Sequence, residues 1–280
     1  MDIFSAFLLG AVQGLTEFLP VSSSGHLIFA WEVLGLSVEY SLAFDALLHL
    51  ATAFAALMYF RADFWNMART FFAYISLKPI EREHKTLFWA LAIGTVPVVF
   101  FGLLFESMIE SIFRSATLVA WVFILGSFLM LAAEWAHKKY YALFFKKKEE
   151  GVSSARSLTL ARGVTIGFFQ AFALIPGMSR SGATISGGLL LGLSREEATR
   201  FAFLLSFPVT LGVGLKKLLE LESAGVLYNE AFVLAFGALA SFVFGILTIH
   251  AMILFLRSRT LIPFVIYRIT LVVLVLFLVG

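Results

Sequence analysis

The chain has 280 residues, of which 60% are hydrophobic and 14% are charged, and its mean hydropathy is +0.94. Soluble globular domains have about 45–50% apolar and about 25% charged residues, so the composition argues against a water-soluble enzyme. Disorder is excluded because 32 phenylalanines and long aliphatic runs cannot stay solvated. We therefore expect a helical protein that crosses a membrane several times, with room for roughly six to ten segments of about 20 residues.

The remaining totals exclude several function classes. The absence of cysteine excludes disulfides, thiolate metal sites and cysteine nucleophiles. The basic run Lys146–Lys148 is followed at once by two glutamates and lacks interleaved aromatic residues, so we expect contact with membrane lipid headgroups and no nucleic-acid partner. The start of the chain, Met1-Asp2, carries no basic region, so no cleaved signal peptide is predicted.

Apolar segments of two kinds follow one another along the chain. Six are long enough to span a membrane: Leu42–Phe60, Leu87–Phe105, Thr117–Trp135, Ala198–Leu215, Ala231–Phe255 and Leu261–Val279. Two others, Ile3–Leu36 and Gly163–Leu193, each contain a glutamine, a proline and a Ser/Gly cluster. Because broken backbone in a bilayer is tolerated only where it lines a protein-enclosed cavity, we predict that both are re-entrant hairpins.

The two hairpin segments are related by a shift of 157 residues. Over positions 10–48, 14 of 39 residues are identical to their shifted partners, where about three would be expected by chance. The shared polar and glycine positions are Gln13/Gln170, Ser22/Ser179, Ser24/Ser181, Gly25/Gly182 and Glu39/Glu196. We predict a single integral membrane domain over 1–280, with repeat one at 1–136, a cytoplasmic loop at 137–160 and repeat two at 161–280.

The distribution of basic residues predicts the orientation. If each hairpin returns to the side it left, each repeat makes three net spans and the second repeat is inverted. One face then carries 61–86, 137–162, 194–200 and 257–260, with 16 Lys or Arg, whereas the opposite face carries three. The positive-inside rule makes the first face, called here the basic face, cytoplasmic and places both termini outside. The predicted fold is an all-α polytopic membrane protein of two inverted-topology repeats, each with one re-entrant hairpin and three transmembrane helices.

Two basic residues remain within the apolar segments, Arg180 and Arg268. A charge in the bilayer is costly, so each such residue marks a candidate functional site. Arg180 lies in the second hairpin and Glu17 in the first, and the hairpin tips are predicted to meet near the midplane, in one shared pocket. A guanidinium among hydroxyl groups suits phosphate oxygens, and a helix beginning near Gly25 or Gly182 would add its positive end.

The first hairpin adds groups suited to phosphoryl transfer. Beside a diphosphate, Glu17 would hold Mg²⁺ or Ca²⁺ together with the phosphate oxygens. His26 and the serines offer a proton shuttle and a nucleophile. Simpler interpretations stay open at this point: the run Ser22–Ser24 as a helix cap, His26 as an ordinary polar residue, and Glu17 with Arg180 as a structural ion pair.

Other polar residues give weaker signals. Asp45 and His49, four residues apart on one helical face, either support the pocket from behind or make a polar contact between helices. Arg268 is expected to be structural or to face lipid headgroups, and Glu106 and Glu110 to be solvated. The type-2 phosphatidic acid phosphatases are rejected because their Lys/Arg-Pro element and second downstream histidine are absent.

The hairpin motifs resemble those of the undecaprenyl-diphosphate phosphatases of the bacitracin-resistance type. The sequence QGLTEFLPVSSSGH at Gln13–His26 matches the family's (E/Q)xxxE element and adjoining Ser-Gly-His, and PGMSRSGAT at Pro176–Thr184 matches its PGxSRSxxT element. The segment Ile262–Arg268 resembles the family's C-terminal end. The resemblance covers essentially the whole chain.

The resemblance implies removal of the terminal phosphate from undecaprenyl diphosphate, which regenerates the monophosphate carrier lipid for cell-wall polymers. It also implies dependence on a divalent cation and a site open to the outer face of the plasma (inner) membrane. By motif position, Glu17 would bind the metal, Arg180 the diphosphate, and Ser23 or His26 would be the nucleophile or the acid/base. The rest of the substrate pocket would be Gln13, Ser22, Ser24, Gly25, Ser179, Ser181 and Thr184. Many members have Glu where this chain has Gln13, so one carboxylate plus substrate phosphates would have to hold the cation.

Three questions stay open from the sequence. A serine activated by His26 and direct attack by His26 both fit the spacing. A secondary transporter or flippase of polyprenyl phosphate is the main alternative function, since inverted repeats with broken helices are also typical of transporters; an anion channel would need more polar positions within the membrane. Whether the chain is a monomer or a homodimer is not indicated.

Overall fold

The computed structural model describes residues 1–36, 41–112, 116–148, 158–223 and 226–279. Within these ranges the chain forms eleven α-helices and no β-strand, which confirms the prediction of an all-helical protein. In chain order the helices are α1 (Ile3–Glu17), α2 (Ser23–Val33), α3 (Ser41–Tyr59), α4 (Arg61–Ile75), α5 (Arg82–Ile112), α6 (Ala116–Lys148), α7 (Leu160–Phe172), α8 (Arg180–Leu190), α9 (Arg195–Ser223), α10 (Val226–Ser258) and α11 (Ile262–Val279).

Four helices contain an apolar segment long enough to cross a membrane: Arg82–Phe105 in α5, Leu118–Tyr140 in α6, Arg195–Lys216 in α9 and Glu230–Ser258 in α10. The shortest has 22 residues, which at 1.5 Å per residue gives about 33 Å, enough for a hydrocarbon core of about 30 Å. The other two predicted spans are shorter apolar helical segments, Phe44–Tyr59 and Ile262–Leu274. The chain is therefore a polytopic membrane protein.

The two segments predicted to be hairpins each form a pair of short helices, α1 with α2 and α7 with α8. The residue before α2, Ser22, has φ 72°, and the residue before α8, Ser179, has φ 71°. A positive φ is uncommon outside glycine, so both turns are held by their surroundings. α2 and α8 have 11 residues each, and their first residues, Ser23 and Arg180, are 157 positions apart, which equals the shift of the sequence repeat.

Glycine allows the first helix of each pair to lie close against a long helix. α1 packs on α10, where a Cβ at Gly10 would clash with the Gly237 carbonyl oxygen. α7 packs on α5, where a Cβ at Gly167 would clash with the Gly94 carbonyl oxygen. Because Gly10 and Gly167 are repeat partners, the same close approach of two backbones occurs at each pair, and each time it joins one predicted repeat to the other.

The largest group of buried apolar side chains fixes α8 against α9. It includes Ile185 and Leu189 of α8 with Phe203 and Leu205 of α9, each at most 1% exposed. This packing places the first turn of α8 beside the turn between α1 and α2, where Ser181 Oγ donates to the Leu19 carbonyl at 2.9 Å.

Part of the basic face is helical where a loop was expected. α4 exposes Trp65, Phe72 and Ile75, and the Arg69 guanidinium lies 5.6 Å from the centre of the Trp65 ring. Exposed aromatic and basic residues on a short helix are typical of a helix lying in the membrane interface. The sequence search missed α4 because it considered only apolar stretches of spanning length.

The connection between the repeats also begins as helix, because α6 continues to Lys148. Residues 149–157 of this connection lie outside the described part of the chain, as do the side chains of Glu106, Glu110 and Lys146–Lys148.

Candidate active site

Glu17, at the end of α1, has a buried carboxylate surrounded by donors. Its Oε2 accepts hydrogen bonds from Ser23 Oγ at 2.6 Å and from Gln13 Nε2 at 2.9 Å, and Oε1 forms an ion pair with Arg180. Nδ1 of His49 lies 3.2 Å from Oε2. The structure therefore brings Glu17 of the first hairpin segment together with Arg180 of the second, as the sequence predicted.

Arg180 begins α8 and supplies the positive charge of the site. Its Nη1 donates to Thr210 Oγ1 at 3.0 Å, while Nη2 is paired with Glu17. A guanidinium has five N–H donors, so these two contacts leave donors for an oxyanion. The Arg180 side chain is 21% exposed, which lets a ligand reach it from outside the protein core.

The serines at the start of α2 have different surroundings. Ser23 Oγ is bound to the buried carboxylate, whereas the hydroxyls of Ser22 and Ser24 lie 3.3 Å apart. Ser22 occupies the N-cap position of α2, but its side chain makes no capping hydrogen bond. A Cβ at Gly25 would clash with the Phe123 ring, so glycine here permits α2 to pack against α6.

The hydroxyls of the second turn are held by protein groups. Ser179 Oγ accepts from the Gly182 N–H at 3.2 Å, which caps α8, and lies 3.3 Å from Ser181 Oγ. Thr184 is fully buried and its Oγ1 donates to the carbonyl at the start of α8 at 2.7 Å. These bonds fix the backbone on which Arg180 is mounted, and the roles of these hydroxyls toward phosphate stay predictions.

His26 does not face the Ser23 hydroxyl. Its Nδ1 lies 2.8 Å from the Ser22 carbonyl oxygen and its Nε2 lies 2.6 Å from the Tyr267 hydroxyl. The group hydrogen-bonded to Ser23 is Glu17, not an imidazole. The sequence left open a serine activated by His26. In the structure the Ser23 hydroxyl is hydrogen-bonded to Glu17 instead.

Three further residues reach the site from outside the two motifs. Nδ1 of His49 on α3 lies 2.7 Å from Gln13 Nε2. Of the two interpretations of Asp45 and His49, the structure therefore favours support of the pocket. Asp45, four residues before His49 on α3, accepts a hydrogen bond from Trp31 Nε1 at 2.8 Å. Thr210 of α9 and Tyr267 of α11 were not predicted as site residues; a polar residue in an apolar helix was the only available signal.

Arg268 is fully buried, so the expectation that it faces lipid headgroups is wrong and the structural interpretation holds. Its guanidinium donates to Ser127 Oγ at 3.1 Å, to the Phe123 carbonyl at 2.9 Å and to the Gly177 carbonyl at 2.8 Å. Gly177 has φ +97° and precedes α8. Arg268 therefore ties α11 to α6 and to the second turn.

The side chains present can hold a divalent cation only in part. Among the described residues no three His, Asp or Glu side chains lie close enough to share a metal ion. Both oxygens of Glu17 already face protein donors, and Gln13 Oε1 is a buried oxygen that lacks a hydrogen-bond partner within the described ranges. These residues fit a cation held mainly by diphosphate oxygens, with Glu17 Oε1 becoming available if Arg180 turns toward the substrate.

The fold and this site together define a class of protein. A polytopic helical membrane protein joins two pairs of short helices, and the junction places an arginine with free donors beside a serine bound to a buried carboxylate. Such a site is suited to binding a phosphoryl group and presenting a hydroxyl to it.

Comparison with known proteins agrees with this class. The family model described as "Bacitracin resistance protein BacA" matches residues 6–274. The chain is 39% identical to the undecaprenyl-diphosphatase of Methanobrevibacter smithii over 280 residues, which covers 95% of this chain and 94% of that protein. It is 40% identical to the undecaprenyl-diphosphatase of Rubrobacter xylanophilus over 277 residues, 98% of this chain and 97% of that protein. The chain belongs to the bacitracin resistance protein BacA family.

Proposed function

We propose that this chain is an undecaprenyl-diphosphate phosphatase, which hydrolyses the terminal phosphate of the lipid diphosphate to give the monophosphate carrier lipid and inorganic phosphate. The observation that carries the proposal is the contact set around Glu17, in which a carboxylate joins the Ser23 hydroxyl and the Arg180 guanidinium. The names of its relatives, which match nearly its whole length, support the same activity.

In the first step, Arg180 binds the diphosphate and Ser23 attacks its terminal phosphorus. The 2.6 Å hydrogen bond from Ser23 to Glu17 makes the carboxylate the proton acceptor as the new P–O bond forms. The bond from the terminal phosphorus to the bridging oxygen breaks, and the lipid monophosphate leaves. Arg180 neutralises charge on the phosphoryl oxygens during this transfer.

In the second step, water attacks the phosphorylated Ser23 and inorganic phosphate leaves. His26 takes the proton of the attacking water, and the proton held by Glu17 returns to the serine oxygen. A Mg²⁺ or Ca²⁺ ion bound to the diphosphate oxygens would lower their charge, with Glu17 and Gln13 as the residues able to contact it. The phosphate pocket is completed by Ser22, Ser24, Gly25, Ser179, Ser181 and Thr184.

The finer topology belongs to the same proposal. Repeat one covers 1–136 and repeat two covers 161–280, each with one re-entrant hairpin and three transmembrane helices, in opposite orientations. The equal lengths of α2 and α8, the matching positive φ of Ser22 and Ser179 and the paired glycine contacts support this arrangement. The site then lies near the midplane of the plasma membrane and opens to the outer face, and both termini lie outside.

Phosphate release tests the proposal. Purified protein in detergent, given undecaprenyl diphosphate with Mg²⁺ or Ca²⁺, is expected to release phosphate, and Glu17→Ala and Arg180→Ala to lower the rate by about 100-fold or more. Arg257→Ala removes an exposed ion pair with Glu196 and serves as the control that keeps its activity. No release by the unaltered protein, or full release by both site variants, would contradict the proposal.

One observation favours the alternative of a lipid-phosphate transporter. A cavity of about 940 Å³ lies between segments of the basic face and is lined by charged residues such as Asp63, Arg82 and Arg200 and by apolar ones such as Leu204. In vesicles carrying the protein, exchange of polyprenyl phosphate between leaflets that is fast and survives Glu17→Ala would establish transport as a separate activity. Exchange no faster than in protein-free vesicles would remove this alternative.

A further inference from the structure

The His26 ring of α2 lies close to one aromatic ring of α6 and one of α11. The Tyr267 ring of α11 is stacked on it, with centroids 5.6 Å apart and planes 11° apart. The centre of the Phe123 ring of α6 lies at 6.4 Å from that of the imidazole, and the two planes are tilted by 38°. These contacts pack the imidazole against side chains of α6 and α11.

Hydrogen bonds also fix which ring nitrogen carries the proton. The Ser22 carbonyl oxygen, 2.8 Å from Nδ1, can only accept, so Nδ1 bears the hydrogen. In the neutral ring the single in-plane lone pair is then on Nε2. The Tyr267 hydroxyl, 2.6 Å from Nε2, donates to that lone pair.

Arg268 holds the Tyr267 side chain in this position. Its guanidinium lies 4.5 Å from the centre of the Phe123 ring and donates to the Phe123 and Gly177 carbonyl oxygens. All of the oxygens that accept hydrogen bonds from Arg268 are neutral, and burying a guanidinium without a carboxylate partner is costly. Arg268 is therefore a specific anchor of α11. With Arg268 fixed, the rotation of α11 places the adjacent Tyr267 hydroxyl at His26.

We propose that the Tyr267 hydroxyl relays the proton of the attacking water to His26. Because this hydroxyl donates to the only lone pair of the neutral imidazole, Tyr267 passes its own hydrogen to Nε2 as it takes one from the water. The proposal rests on the proposed function, in which His26 takes the proton of the attacking water. A residue that only packed the helices together would act through its ring and would not need its hydroxyl.

The substitution Tyr267→Phe separates the two possibilities, because it keeps the stacked ring and removes the hydroxyl. Diethyl pyrocarbonate modifies accessible, unprotonated imidazole nitrogens, and mass spectrometry of peptides reports each histidine separately. We expect modification of His26 to be at least about threefold faster in the variant, since one hydrogen bond no longer protects Nε2. The control is Tyr59→Phe, because Tyr59 bonds to His250 at 3.0 Å away from the site.

Steady-state kinetics on the same proteins completes the test. Tyr267→Phe is expected to lower kcat by about tenfold with KM within about twofold, because substrate binding is untouched and the path of the proton to His26 is interrupted. Tyr59→Phe should leave both constants unchanged. Equal thermal unfolding midpoints in detergent show that the variants are folded.

The outcomes distinguish the inference from the function on which it rests. Unchanged modification of His26, or an unchanged or raised kcat, in Tyr267→Phe would overturn the role of Tyr267 while the unaltered protein still releases phosphate. Failure of the unaltered protein to release phosphate would overturn the proposed function and this role together.

Discussion

Among the residues that the structure describes, two buried carboxylates, Glu17 and Glu134, pair with arginines, and their other neighbours differ. Glu17 also contacts the Ser23 hydroxyl, which can react, whereas Glu134 accepts from both Nε and Nη2 of Arg195 and from the backbone N–H of Leu261. The first set contains the hydroxyl that we propose as the nucleophile, and the second contains groups that join helices. Glu134 therefore joins α6, α9 and the start of α11.

This difference predicts that a substitution at Glu134 changes stability and leaves activity nearly unchanged. Glu134→Gln is expected to lower stability by about 1–3 kcal/mol, because the Arg195 charge loses its partner, and to keep kcat within about twofold. Thermal unfolding in detergent and phosphate release on the folded fraction measure the two quantities. An unchanged unfolding midpoint, or loss of kcat in folded protein, would show that Glu134 has been assigned wrongly.

The sequence predicted the charged members of the site better than their neighbours. Arg180 and Glu17 could be paired because charges within apolar segments are few and the repeat brings the two segments together. The partner of Ser23 could not be predicted, since the turn geometry at Ser22 decides whether Glu17 or His26 faces it. Tyr267 reaches the site through the rotation of α11, which a sequence pattern does not specify.

At the scale of helices, close packing at glycine is the feature that positions both short-helix pairs. Gly167→Ala is expected to destabilise the protein and lower activity, because the new Cβ would meet the Gly94 carbonyl on α5. Gly212→Ala is the matched control, since a Cβ there meets no atom within 4 Å and alanine favours helix by about 1 kcal/mol. Thermal unfolding midpoints in detergent measure the stability of both variants.

Equal stability of Gly167→Ala and the unaltered protein would show that α7 does not depend on this contact.

The type of element was predictable wherever hydrophobicity alone determines it, as in α5, α6 and α10. The helix α4 could not be predicted from hydrophobicity alone, because its 15 residues are too few to span a membrane and mix exposed aromatic with charged side chains.

At the scale of the whole molecule, the proposed orientation rests on the excess of Lys and Arg on the basic face. The absence of cysteine makes single-cysteine labelling direct. Asp2→Cys is expected to react with an impermeant thiol reagent added outside cells, and Lys78→Cys to react only after the membrane is opened. The reverse labelling pattern would invert the topology and move the site opening to the other face.

The proposed nucleophile is Ser23, which is bound to the carboxylate that also pairs with Arg180. Protein mixed with undecaprenyl diphosphate is quenched within the first turnover, in parallel in acid and in mild alkali, and its peptides are analysed by mass spectrometry. We expect an acid-stable phosphate on Ser23 that is absent from Ser23→Ala. A phosphate on His26 that is lost in acid, or phosphate release without any phosphorylated enzyme, would contradict this assignment.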